Sequence, residues 1–261
     1  MIPSREPGPG PRRPPWELLE VFHSYAYDKR MPSSKDTQMM GDQNRFPTTS
    51  WNLVKTAKKV EALDTLIQVY WKPLYFFVRQ HGYDNETSKD MVQGFLTTLM
   101  QRDAIAKADP ARGRFRTFLL AALTNFLKDC AKAETRLKRG GDQPIFSLDF
   151  AQGESEYKLD VAHGEAPEVV LNRAWAKNLW KISLTKLQGD AAHLEAFNLY
   201  LTGMDYAKIS QKTGLSESAA KTAVHRLKGQ LRDIIVGHIR DTVSSEADLE
   251  AEVAEFMSLL S

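Results

Sequence analysis

Apolar residues recur along this chain at intervals of three and four, the spacing that lines one side of an α-helix. Leu63, Leu66, Ile67 and Tyr70 lead into YWKPLYFFVRQHG, where Pro73 is expected to start or kink a helix and Gly82 to end it. Met91, Val92, Phe95, Leu96 and Leu99 predict a helix over 85–100. Leu119, Leu120, Ala122, Leu123, Phe126 and Leu127 predict a longer one from about 116 to 138. Val169, Leu171, Trp175, Leu179 and Trp180 form a further stripe after Pro167, followed by Leu194, Phe197 and Leu201. Leu249, Val253, Phe256 and Leu260 close the series. The expected class is all-α.

The densest local signal lies at 205–235, DYAKISQKTGLSESAAKTAVHRLKGQLRDII. Tyr206, Ile209 and Thr213 face one way, Gly214 breaks the helix, and Leu215-Ser216 opens a second. Gly takes a left-handed backbone without steric cost and Ser is a preferred N-cap, so the spacing fits a helix-turn-helix, with Ser210 small enough for a close crossing. On the second helix Ala220, Ala223, Val224, Leu227, Leu231 and Ile234 share one side. Ser218, Lys221, Thr222, His225, Lys228 and Arg232 share the other, offering donors and positive charge to a groove. The competing reading is an amphipathic helix whose Lys and Arg are merely solvated.

Punctuation between the helical stretches sets the organisation. Seven of the twelve prolines fall in 1–45, so this part is expected to be a disordered tail, with a short amphipathic turn or helix at 16–27. Order is expected from Phe46, with Thr49 or Ser50 as an N-cap. Segment 140–167 has six acidic residues against Lys158 and no clear period, which predicts an acidic linker. The expected domains are therefore 46–139 and 168–240, followed by an acidic amphipathic helix at 241–261. That last helix either docks on its own domain or masks the basic side of the hairpin.

Charge is local rather than global. The formal net charge is only +2, but segment 107–139 holds nine basic and three acidic residues, a net of +6, interleaved with Phe115, Phe118 and Phe126. Cations neutralise phosphates and rings stack on unpaired bases, so this mixture suits melted or single-stranded nucleic acid. Phe118 and Phe126 sit on the apolar side and read as core. Phe115, in a Gly/Arg loop, is expected to be exposed. Cys130 is the only cysteine, which excludes a disulfide framework or a Cys-based zinc site within one chain. No apolar run approaches a membrane span and no signal-peptide pattern opens the chain, so a cytoplasmic protein without membrane insertion is expected.

Three segments in order carry a family resemblance. DMVQGFLTTL, from Asp90 onward, resembles a D-L-V-Q-x-x-F helix. RFRTFLLAALTNFLKD resembles F-x-x-W-L-x-x-I-A-x-N-x-x-x-D through Phe115, Phe118, Leu119, Asn125 and Asp129, with Phe118 where Trp is usual. The hairpin resembles a Y-x-E-I-A-x-x-x-G-I-S-E-x-x-V-K-x-x-L-H-R segment through Gly214, Ser216, Glu217, Lys221, His225 and Arg226. Together, over about 46–235, the chain resembles a bacterial RNA polymerase sigma factor of the extracytoplasmic-function group. RGRFR, PLYFFVRQHG and the acidic tail are similar to planctomycete-like versions.

The resemblance implies two small helical domains joined by the acidic linker, the C-terminal one containing the helix-turn-helix. The protein would not be an enzyme and would need no cofactor or metal. Asp90, Gln93, Phe95 and Leu96 would bind the β′ clamp helices of core polymerase, with the β flap as a further contact. Arg112, Arg114, Phe115, Arg116, Asn125 and Lys128 would bind and melt the −10 element. Ser218, Lys221, Thr222 and His225 would reach base edges of the −35 element, and Arg226, Lys228 and Arg232 its phosphates. The linker carboxylates would mimic nucleic acid near the polymerase cleft. Promoter DNA is the implied ligand, an anti-sigma factor or regulatory kinase a further implied partner, and the cytoplasm, at the nucleoid, the location. Two other classes stay open: a one-component helix-turn-helix regulator working without polymerase, and a DNA-acting enzyme, for which no nucleophile or metal-binding carboxylate spacing is found.

Overall fold

The computed structural model describes residues 60–101, 114–134, 148–161 and 164–260. Among these the chain is all-α, with nine helices and no strand. They are α1 (Val60–Gln80), α2 (Asn85–Gln101), α3 (Phe115–Glu134), α4 (Phe150–Asp160), α5 (Pro167–Thr185), α6 (Ala191–Leu201), α7 (Tyr206–Thr213), α8 (Glu217–Arg240) and α9 (Glu246–Leu260). The expected N-terminal tail, its 16–27 turn and the Thr49 or Ser50 cap lie outside the described residues.

Two compact units are present. Within the described residues the first comprises 60–180 and 238–253, the second 181–237 and 254–260. The division falls inside α5, α8 and α9, so each of these helices is read in two parts. It differs from the expected pair, 46–139 and 168–240, because α4, most of α5 and 238–253 belong to the first unit.

In the first unit α1 packs on α2 and α4, and α2 on α3. The predicted α2 stripe of Met91, Val92, Phe95, Leu96 and Leu99 is wholly buried. Each such side chain contributes roughly 1.5–3 kcal/mol of burial. Leu119, Leu123 and Leu127 of α3 are buried too, while Leu120, Ala122 and Phe126 are half-buried. Helix α1 runs through Pro73 rather than starting or breaking there. Gly82, at φ 88°, follows its end. Pro73 has no N–H to donate to the Val69 carbonyl four residues back. Asn178 of α5 supplies that bond instead, its Nδ2 lying 2.8 Å from the oxygens of both Gln68 and Val69.

The expected linker contains a packed helix. Asp149 caps α4 by accepting from the Gln152 N–H at 2.9 Å. Phe150 meets the rings of Trp71 and Tyr75 edge-on, at 5.2 and 5.6 Å. At Gly153 a Cβ would stand 3.1 Å from the Trp71 ring, so a larger residue would need that ring to give way by a few tenths of an ångström. Two of the α4 carboxylates are engaged within the protein. Glu154 pairs with Arg79 and Glu156 with Lys72, at 3.1 and 3.0 Å. Periodicity missed the helix because its anchors are one aromatic and one glycine rather than an apolar stripe.

The second unit holds α6, α7 and the first part of α8, with α7 packed on α6. Ala196, Phe197, Ile209, Ala220 and Leu227 are each at most 1% exposed and form its centre. Phe256, near the end of the chain, is equally buried.

Candidate nucleic-acid interface

The hairpin is built from local bonds that its sequence specifies. Asp205 caps α7, its carboxylate accepting from the Lys208 N–H at 2.9 Å, which holds the carboxyl below its ordinary range. Gly214 ends the helix at φ 73°, in the left-handed region, and its N–H bonds to the Ser210 carbonyl. The Ser210 hydroxyl donates to the Leu215 carbonyl at 2.6 Å and so ties the turn to the helix before it. Ser216 then opens α8 by accepting from the Ala219 N–H at 3.1 Å. Ser210 thus serves the turn through its hydroxyl as well as its small size.

Helix α8 separates its two sides much as its sequence predicts. Ala220, Ala223, Val224, Leu227 and Leu231 are buried. Ile234 is only half-buried, and Ile235 completes the row instead. On the other side Ser218, Lys221, Thr222, His225 and Arg226 are exposed. The Lys221 ammonium stands 5.5 Å from the centre of the Tyr206 ring, which leaves its other directions to solvent.

The three basic residues assigned to phosphates are differently placed. Arg226 lies 3.1 Å from His193 Nδ1, on the rim of a concavity of about 370 Å³ also lined by Ser216, Ser218 and Thr222. Lys228 is half-buried, donating to the Tyr200 hydroxyl at 2.9 Å with its ammonium 4.6 Å over that ring. Arg232 is half-buried and paired with Asp233 at 3.0 Å. The exposed row is thus the early part of α8, with later cations tethered by the protein itself. His193 was not foreseen; it lies 33 residues from Arg226 and nothing in its own neighbourhood marks it.

The first unit presents fewer of the expected residues. Asp90 is exposed and Gln93 half-buried, so both reach the surface of α2. Phe95 and Leu96 are each 3% exposed and belong to the core, with Phe95 edge-on to Phe126 at 5.7 Å. They support that surface from beneath rather than offering side chains to a partner.

Arg112 lies outside the described residues. Phe115, expected to be exposed, is 1% exposed and packs edge-on against Tyr70 at 5.4 Å. Its N–H donates to the Thr242 carbonyl at 3.2 Å. Arg116 is buried, bonded to Asn172 at 2.9 Å, paired with Glu252 at 3.0 Å and stacked 4.2 Å over the Trp175 ring. Arg114 is partly exposed and holds the same Glu252 carboxylate at 2.7 Å. Only Asn125 and Lys128, further along α3, stand exposed. The Arg/Phe composition of this stretch was legible, but the carboxylate that answers it comes from 136 residues away.

Among the described residues no group of three His, Cys, Asp or Glu side chains could hold a metal. None of the described helices is long and apolar enough to cross a membrane. No family model matches the chain, nor does any curated protein or solved structure.

Proposed function

We propose that this chain is a promoter-recognition subunit of bacterial RNA polymerase, a sigma factor of the extracytoplasmic-function type. The observation that carries the reading is the exposed row Ser218, Lys221, Thr222 and His225 on α8, set behind the Gly214 turn. A helix that buries one side and offers hydroxyl, ammonium and imidazole groups on the other suits the major groove, where base edges present donors and acceptors. Arg226 on the rim of the adjoining concavity is positioned for backbone phosphate. Lys228 ties α8 to α6 through the Tyr200 hydroxyl, and Arg232 is paired along α8 with Asp233.

In the first unit, Asp90 and Gln93 are the residues through which α2 would contact the polymerase clamp. Asn125 and Lys128 are the surface residues of α3 available to the −10 strand. Arg114 and Arg116 join them only when their carboxylate partner is displaced.

Two further readings differ in what they need from polymerase. A one-component regulator would bind its site alone and leave core polymerase unchanged, whereas a DNA-acting enzyme would alter the DNA itself. Purified chain is added to bacterial core polymerase with fragmented genomic DNA, and transcript 5′ ends are mapped. The sigma reading requires 5′ ends that depend on the chain and share upstream sequence. Transcript ends unchanged by the chain, with site-specific DNA binding in its absence from polymerase, would replace it with the regulator reading.

A further inference from the structure

We propose that α9 is a self-docked acidic strap, its Glu252 carboxylate occupying the place at the start of α3 that a nucleic-acid phosphate takes when the strap is released. The proposal rests on the reading of α3 as a nucleic-acid contact. Two guanidiniums converge on one carboxylate, Arg114 Nη1 at 2.7 Å from one oxygen and Arg116 Nη2 at 3.0 Å from the other. Phosphate offers arginine the same pair of charged acceptors in a similar geometry, so the two anions compete for one site.

Four observations favour a replaceable anion over a purely structural pair. Glu252 is 1% exposed, and a buried Arg–Glu–Arg group is generally no more stabilising than apolar residues of the same volume. Stability alone therefore does not explain its composition. Secondly, Arg116 Nη2 lies within 3.1 Å of both carboxylate oxygens, so the two guanidiniums share one of them, as they can share a phosphate oxygen. Thirdly, Arg114 keeps 29% of its side chain exposed, so an anion reaches it before the strap opens. Fourthly, 241–261 carries six acidic residues and no basic one, against the net +6 of 107–139. Asp248 adds to the same field; hydrogen bonds from Ser245 and Ser244 and the Arg114 charge keep its carboxyl ionised below the ordinary range.

The resting state is closed, because Leu249 and Val253 bury the apolar side of α9 and the Thr242 carbonyl accepts from Phe115. This is a different strap from one that covers the hairpin. It silences the melting segment and leaves the exposed row of α8 to its own task.

The test uses the full chain and a short fluorescent single-stranded oligodeoxynucleotide, titrated over a range of salt. Glu252→Gln keeps the size of the side chain and one acceptor oxygen but removes the charge. The variant is expected to bind more tightly. Its plot of log affinity against log salt should be steeper by about 0.7 to 1.4, the increment for one or two more phosphate contacts on a single strand. Adding Arg114→Gln should bring the slope back toward that of the unaltered chain. A folded Glu252→Gln protein with unchanged affinity and slope overturns the proposal, as does absence of binding by both proteins.

Should Glu252→Gln fail to fold, amide exchange of 246–253 in the unaltered chain decides. Exchange must speed up when the oligonucleotide is bound, and unchanged protection at saturation overturns the strap. No polymerase is present in either assay. A strap without chain-dependent transcripts therefore removes only the sigma reading, and transcripts without a strap remove only this proposal.

Discussion

Asn178 gives the Val69 carbonyl the hydrogen bond that Pro73 cannot, from a position 109 residues away and at 2.8 Å. The proline would otherwise leave a buried acceptor unpaired in the middle of α1, a defect costing about 1–3 kcal/mol. Asn178→Leu should lower stability by about that amount in urea denaturation. Pro73→Ala in the same background should recover part of the loss, since alanine restores the missing N–H. The two changes should be non-additive, which separates this coupling from a simple packing defect.

Glu154 ties α4 to α1 through three donors. The Tyr75 hydroxyl lies 2.5 Å from Oε2, and Arg79 reaches both oxygens at 3.1 Å. Burial pushes the Glu154 carboxyl up, but bonds from Tyr75 and Arg79 and the Arg79 charge outweigh it and hold the pKa below the ordinary range. A depressed carboxylate stabilises the fold above its unfolded value, near 4.3, and loses that contribution as pH falls through the folded one. Glu154→Gln should cost about 1.5–3 kcal/mol at neutral pH. Denaturation curves of the two proteins should converge as the pH drops below about 4. A constant gap at all pH values would show that charge is not the cause.

Tyr75 and Tyr70 should make the fold sensitive to alkaline pH. Burial raises both hydroxyl pKa values, and at Tyr75 the Glu154 acceptor raises it further. Their neutral forms are therefore favoured by folding, a contribution present below the unfolded value near 10 and lost as pH rises beyond it. Tyrosinate absorbance should appear together with unfolding, and Tyr70→Phe should shift that transition to higher pH.

Gly214 is the one residue of the hairpin turn whose backbone most side chains resist, at φ 73°. Nothing lies within 4 Å of an added Cβ, so the cost of substitution is conformational rather than steric packing. Gly214→Ala should lower stability by about 1–2 kcal/mol, and Gly214→Asn by less, in thermal melts. Equal losses from the two would point to a packing cause instead.

Lys221 and Arg226 should separate base reading from phosphate contact. On the proposed function, Lys221→Ala should cost about 1–3 kcal/mol of discrimination at one promoter position. Arg226→Ala should weaken binding evenly over all sequences and reduce the salt dependence by about one phosphate contact. Binding to a panel of single-base promoter variants distinguishes the two patterns. A uniform loss from Lys221→Ala would assign that residue to the backbone.

The amino-acid sequence determined most of the local structure, because helix periodicity, caps and turns act over four or five residues. The α2 stripe, Gly82 and Gly214 after their helices, Ser216 as an N-cap and the exposed row of α8 all follow from neighbours in the chain. Tertiary structure alone decided which partner each polar group found. Glu252 for Arg114 and Arg116, Glu154 for Arg79, and Asn178 for Val69 are pairings across 75 residues or more. Composition counts such charges and amides but carries no record of distance. Thus the basic stretch was legible as charge, whereas its neutralisation by α9 and the packing of the acidic segment as α4 depended on which helices the core brought together.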